Sequence, residues 1–185
     1  MKYPVTVYGD PLLRKKASPV EKDQEGLNEI IENMWEIMYY SDGVGLAAPQ
    51  VGLSIRLFLV DATSGADEEP ELKDFKRVFI NPEIIKISGE EWVMNEGCLS
   101  LPEIREDVKR PDVVRIKYLD ENFEPHEEVF SGYSGRIIQH EYDHLAGVLF
   151  IDYLTPLRKR LLKSKLRSIA TGKVQPHYRI KVPVK

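Results

Sequence analysis

Ser131-Gly-Tyr-Ser-Gly-Arg-Ile-Ile-Gln-His-Glu-Tyr-Asp-His-Leu-Ala-Gly147 places His140 and His144 four positions apart, with Glu141 next to the first. On a helix, residues four apart lie one above the other on the same face. The spacing therefore predicts a helix whose two imidazoles reach one metal ion, while Glu141 reaches a water held by that ion. Such an arrangement suits metal-assisted hydrolysis. Gly147 falls where a left-handed C-terminal cap is wanted, and Ser131 stands where an N-cap side chain is favoured.

The segments around this helix read as a single α+β domain spanning residues 1–185. Leu27, Ile30, Ile31, Met34, Ile37 and Met38 recur at the spacing of an amphipathic helix, which Ser41-Asp42-Gly43 stops. Ile55 to Asp61 reads as a buried strand. Arg77 to Pro82, Glu83 to Ser88 and Val113 to Leu119 read as further strands, with turn signals at Gly89 and at Asp120-Glu121-Asn122. Residues 62–76 carry Asp67, Glu68, Glu69, Glu71 and Asp74 and are expected to form an acidic, solvated surface insertion. A last, basic helix is expected from about Pro156 to Ala170, because proline is favoured at the first helical position. No internal repeat or linker interrupts the chain. The expected architecture is mixed or antiparallel strands wrapped around the central HExxH helix.

A chain of 185 residues can bury a sizeable core, and a net charge of −4 gives no sign of nucleic-acid recognition as the main task. With a single cysteine no intrachain disulfide can form, which suits a reducing cytosol. The opening stretch lacks the apolar core of a secretory signal, and no apolar run approaches the ~20 residues of a membrane span. The expectation is a cytoplasmic protein with no membrane association and no sequence-specific nucleic-acid binding.

Two histidines and a glutamate do not complete a metal site. Zinc endopeptidases of the HExxH type use a glutamate on a later helix, but no glutamate follows Glu141. Others extend the motif to a third histidine, and here Phe150 stands in that place. Asp152 and His177 remain as downstream candidates, neither in a motif that recommends it. Upstream, Cys98 lies between Gly97 and Leu99. Thiolate plus two imidazoles leaves an open fourth position, as a catalytic site requires. A lone cysteine is more commonly a small buried hydrophobe, and that reading competes with ligation.

Three blocks in this order, Gly43-Val-Gly-Leu-Ala-Ala-Pro-Gln50, Glu96-Gly-Cys-Leu-Ser100 and Gln139-His-Glu-Tyr-Asp-His144, resemble the three motifs of the peptide deformylases. The resemblance includes the Asp10-Pro-Leu-Leu-Arg14 opening and spans nearly the whole chain. It implies an α+β fold with the metal helix at its centre. It also implies removal of the formyl group from the N-terminal formyl-methionine of newly made proteins, with release of formate. The implied metal ligands are Cys98, His140 and His144, with ferrous iron as the physiological ion; zinc, nickel or cobalt can occupy such a donor set. Glu141 is the expected general base, which generates the attacking hydroxide from the water on the ion. The amide of Gln50 and the backbone N–H of Leu99 are implied to face the formyl oxygen. The segment at Gly45 is implied to pair with the substrate as an added strand.

For the methionine side chain, helical spacing nominates Tyr133 and Ile137 as one wall, with Val44 opposite by resemblance. Gly43, Gly45 and Gly97 keep backbone accessible, and Arg105 matches a family arginine near the substrate. Arg136 departs from the apolar residue expected at its position; its stem is expected to cover the pocket while the guanidinium reaches water. Asp143 is expected either to orient a ligand histidine or to be solvated. The basic run from Arg158 to Arg167 suggests either a solvated helix face or docking on the ribosome near emerging nascent chains, as in some deformylases.

Overall fold

In this computed structural model, described over residues 3–183, the chain runs β1 (Val5–Thr6), α1 (Leu27–Tyr40), β2 (Gly45–Ala47), β3 (Leu57–Asp61), β4 (Lys76–Gly97), β5 (Arg105–Leu119), β6 (Pro125–Phe130), α2 (Gly132–Leu145), α3 (Pro156–Ala170) and β7 (Ile180–Lys181). Strands β2 to β6 form one antiparallel sheet in sequence order, so β2 lies at an edge. The two short end strands, β1 and β7, pair in parallel. The result is an α+β fold, as the sequence implied.

Alternation along β3 sets the layers, because successive strand side chains point to opposite faces. Leu57 and Leu59 join the core made with Ile31, Met34, Ile37 and Met38 of α1. Phe58 and Val60 join the opposite core, which holds Ile137, Ile138 and Leu145 of α2. The metal-motif helix is thus packed on the sheet face away from α1. Each such side chain, fully buried, contributes about 1.5–3 kcal/mol. A third cluster seats Leu162, Leu166 and Ile169 of α3 against Leu101, Ile104, Leu149 and Phe150. Here the C-terminal helix packs next to the turn that follows Cys98.

Three local expectations need correction. Arg77–Ser88 is not a pair of strands ended at Gly89: β4 continues through to Gly97. Its pairing with β5 shifts register between Ile80 and Glu83, Ile84 and Lys86, and Ser88 and Glu91. Gly89, at φ +87°, sits inside the last of these shifts. It serves a bulge, which bends the strand without ending it. Secondly, Ser131 makes no side-chain cap on α2. The helix amides are capped from elsewhere, Gly132 by Asp112 Oδ1 and Tyr133 by Glu69 Oε1, both at 2.9 Å.

Thirdly, residues 62–76 are not merely solvated. They form two short 3-10 turns, bury Leu72 and Phe75, and carry the Glu69 cap. The C-terminal end of α2 follows the sequence reading. Gly147 is left-handed at φ +76°, its N–H bonds to His144 O, and Val148 N bonds to Asp143 O. A Cβ there would lie 2.6 Å from the Arg14 carbonyl oxygen, so the close approach also demands glycine.

Candidate metal centre and active-site cleft

The helix spacing brings His140 and His144 onto one face of α2, and the sharp exit from β4 brings Cys98 to meet them. One ligand atom from each lies within 4.8 Å of the others. Cys98 Sγ is 3.3 Å from His144 Nε2. His140 Nδ1 is 2.9 Å from Glu96 Oε2; as the donor to that carboxylate it leaves Nε2 as the lone-pair nitrogen. Asp152 and His177 are engaged elsewhere, with Arg14 and with the Tyr40 carbonyl respectively. Among the described residues the one group able to hold a metal is therefore Cys98, His140 and His144.

The donor set fits a divalent transition metal. Imidazole and thiolate are ligands for zinc and iron alike. Around them, His144 Nδ1 and Glu141 Oε2 are buried without a protein hydrogen-bond partner among the described residues. Buried polar atoms are normally satisfied, so an orphaned carboxylate oxygen beside three ligands indicates a place for water and substrate. Burial pushes the Glu141 carboxyl up to about 7, aided by the negative charges of Glu96 and Asp143. His144 is held neutral chiefly by burial, with the positive charge of Arg110 acting in the same direction.

A cleft of about 350 Å³ opens over this group. Gly43, Val44, Gly45, Gln50, Gly97, Cys98, Leu99, Arg105, Tyr133, Ile137, His140 and Glu141 all line it, while His144 lies beneath, 1% exposed. Gln50 is clamped: its Oε1 accepts from Ala47 N at 2.8 Å, which turns Nε2 to within 3.4 Å of Cys98 Sγ. The Cys98 carbonyl accepts from Leu101 N at 2.9 Å. Because C=O and N–H point opposite ways across a trans peptide, this bond also orients the Leu99 N–H. Arg105 folds across Gly97 and holds Asn95 by its side-chain and main-chain oxygens. Tyr133 packs against Gly65, and its hydroxyl lies 3.3 Å from Ser64 Oγ, so residues 62–76 buttress one wall.

Gly45 has a role closer to the chemistry than access alone. A Cβ there would lie 2.5 Å from Glu141 Oε1 and 2.8 Å from its Cγ. The missing side chain is what lets the Glu141 carboxylate sit against the edge strand. Gly45→Ala is expected to displace that carboxylate and lower kcat by roughly 10²-fold, since a shift of about 1 Å carries such a cost. Steady-state rates on a formyl-methionyl tripeptide, the substrate class that the resemblance implies, with metal content measured in parallel, check this.

The sequence reading missed Glu96 and Arg110. Glu96 was visible next to Gly97, yet nothing assigned it a task. It proves to be the hub: its carboxylate accepts from His140, from Arg110 at 2.8 and 3.1 Å, and from Arg136 at 2.9 Å. Burial by itself would raise its pKa, but the hydrogen bonds from His140 and Arg110, with the Arg110 charge, outweigh this and hold it well below the carboxylate range. Asp143 neither touches a ligand histidine nor stands in water. It accepts from Arg110 at 2.7 Å and from the Tyr153 hydroxyl at 2.9 Å.

Arg136 is also corrected. Its guanidinium does not reach water; the residue is 2% exposed. Besides Glu96 it donates to the carbonyls of Val108 and Trp92, and it stacks 4.5 Å over the Trp92 ring. An arginine is tolerated on this face of α2 because β4 and β5 present it with a carboxylate and two carbonyls.

Comparison with known proteins agrees with this geometry. The family model described as polypeptide deformylase matches residues 2–160. A peptide deformylase of Christiangramia forsetii is 52% identical over 97% of this chain and 95% of its own length. One of Flavobacterium johnsoniae is 52% identical over 96% of this chain and 94% of its own. Among solved structures, an inhibitor complex of the Plasmodium falciparum peptide deformylase superposes with a TM-score of 0.78 at 37% identity, covering 90% of this chain and 99% of that one. The Thermotoga maritima peptide deformylase gives 0.75 at 46% identity, covering 84% and 99%. With three motifs, one fold and one donor set in agreement, the chain belongs to the polypeptide deformylase family.

Proposed function

We propose that this protein hydrolyses the terminal formamide of formyl-methionyl nascent chains, releasing formate and a free amino terminus. The observation that carries the reading is Glu141 Oε2, which has no hydrogen-bond partner among the described residues and lies buried beside the Cys98–His140–His144 group at the floor of the cleft. When bound by these three residues, a divalent ion supplies a Lewis acid and a water whose pKa falls to ~7. Ferrous iron is the ion we assign physiologically, with zinc, nickel or cobalt able to substitute.

The residues of the chain do the rest. Glu141 takes the proton of the attacking water and passes it to the departing amine nitrogen, the same carboxylate serving as base and then acid. Negative charge grows on the formyl oxygen, where the Gln50 amide and the Leu99 N–H donate; such donors are commonly worth ~2.7–4 kcal/mol each. The edge position of β2 leaves its outer backbone groups for an extended substrate, which pairs at Gly45. Recognition through backbone tolerates varied sequence after the methionine. Tyr133, Ile137 and Val44 enclose the methionine side chain, and Arg105 stands at the rim near Gly97.

An HExxH endopeptidase remains the alternative class, and the upstream position of Cys98 together with the engaged Asp152 and His177 argues against it. The Arg158–Arg167 run on α3 is read first as a solvated helix face and second as a surface that docks on the ribosome in the cytoplasm. Binding there should weaken steeply with added salt. Cys98→Ser and His144→Ala are expected to lose bound metal and turnover together. Metal analysis of anaerobically prepared variants, alongside competition between formylated and acetylated Met-Ala-Ser, tests the reading. Full metal retention and turnover in both variants would remove it.

A further inference from the structure

Two adjacent residues on the segment after α3 reach both walls of the cleft. Tyr178 is buried, lines the cleft, and donates its hydroxyl to the Leu99 carbonyl at 2.9 Å. His177 Nε2 donates to the Tyr40 carbonyl at 3.0 Å, in the last turn of α1, and lies 3.5 Å from the Asp42 carboxylate. The walls they hold, residues 41–45 and 97–101, meet closely: a Cβ on Gly43 would lie 3.1 Å from Leu99 Cδ1. The segment is itself anchored just beyond, where Arg179 O accepts from Val5 N at 2.8 Å and β7 pairs with β1. His177, Tyr178 and β7 lie outside residues 2–160, which the family model matches, while the walls and the strand they hold lie within it.

Leu99 is flanked by two peptide planes. The one before it is held within the turn, by Leu101 N on the Cys98 carbonyl; the one after it is held by Tyr178. With both planes fixed, the Leu99 N–H has one direction available. A phenol suits the task, since its ring can be buried while its hydroxyl still donates. Phenylalanine would fill the same space without the bond.

We propose that Tyr178 is a positioning residue for the reaction, holding the Leu99 backbone so that its N–H faces the substrate oxygen, and that with His177 it clamps the two cleft walls together. The proposal rests on the deformylation reading of the site.

The test uses full-length, metal-loaded Tyr178→Phe and His177→Ala, with turnover of formyl-Met-Ala-Ser and amide hydrogen exchange followed in each. Tyr178→Phe is expected to lower kcat about 3- to 10-fold, the range for one lost hydrogen bond. KM should stay within about twofold, because the interaction acts chiefly on the transition state. Exchange across residues 98–101 should quicken, and in His177→Ala across 41–45. Wild-type kcat and wild-type exchange in Tyr178→Phe would overturn the proposal, leaving the ring a packing role only. Unaltered exchange across 41–45 in His177→Ala would remove the clamp. The exchange readout does not depend on turnover. A wild-type protein that releases no formate would therefore sink the deformylase reading, while quickened exchange would still support the Tyr178 contact.

Discussion

Glu141→Ala is expected to keep its metal and its fold while kcat on formyl-Met-Ala-Ser falls roughly 10²–10⁴-fold, the usual contribution of a positioned general acid–base group. The carboxylate is not among the Cys98, His140 and His144 donors, so its removal leaves the ligand set intact. Nor does it hold the structure together, since its Oε2 makes no protein hydrogen bond among the described residues. A buried group of this kind costs stability in the ionised form. Its folded-state pKa is raised from the ordinary 4.5 to about 7, so its contribution is fully present below 4.5 and is lost as pH rises through about 7. The metal-free Glu141→Gln protein should therefore gain stability relative to wild type as pH rises across that window. Thermal melts at several pH values check this, and a gap that narrows instead would contradict the assignment. Full turnover in Glu141→Ala would remove the proton-transfer role altogether.

Glu96→Ala is expected to have the largest effect on stability, about 3–5 kcal/mol, because it leaves the buried charge of Arg136 with no carboxylate partner and that of Arg110 with Asp143 alone. Both guanidiniums are almost wholly enclosed, with side chains 3% and 2% exposed, and Glu96 is the carboxylate they share. The milder Glu96→Gln keeps one acceptor oxygen but cannot hold three donors. It should cost metal affinity ~10–100-fold, as changes to the partner of a ligating histidine commonly do. The wild-type carboxyl is held below its ordinary 4.5, so the stability it confers is present above that pH and fades as pH falls further. The gap between wild type and Glu96→Gln should therefore shrink in acid. Denaturant melts from neutral to acid pH measure it, and a constant gap would show that the ion pairs with Glu96 contribute nothing.

What the sequence revealed and what it hid follow from one physical distinction. Periodic features were legible: the 3.6-residue spacing gave α1 and the ligand face of α2, and Pro156 gave the start of α3. The Gly147 cap was legible because a left-handed end has few residue choices. Features that depend on distant partners were not. Ser131 looked like a cap, yet Asp112 and Glu69 do that work from other elements. Arg136 lines the cleft, as its spacing on α2 suggested, but the Trp92, Glu96 and Val108 partners that keep its guanidinium from water come from β4 and β5. Gly89 looked like a turn because glycine marks bulges and turns alike. Three motifs brought Cys98 and Gln50 to the site through family resemblance. No local signal announced that Arg110 would join Asp143 to Glu96, nor that Tyr178 would touch Leu99.

The central claim, that Cys98, His140, His144 and Glu141 serve to cleave a terminal formamide, is tested most directly by following formate and free amine together. Anaerobically prepared, metal-loaded protein is incubated with formyl-Met-Ala-Ser, before and after chelation, and with an unformylated peptide as control. One formate per new amino terminus, lost on chelation and restored by ferrous iron, is the expected result. No formate from metal-loaded protein, with internal bonds of the control peptide cut instead, would contradict it.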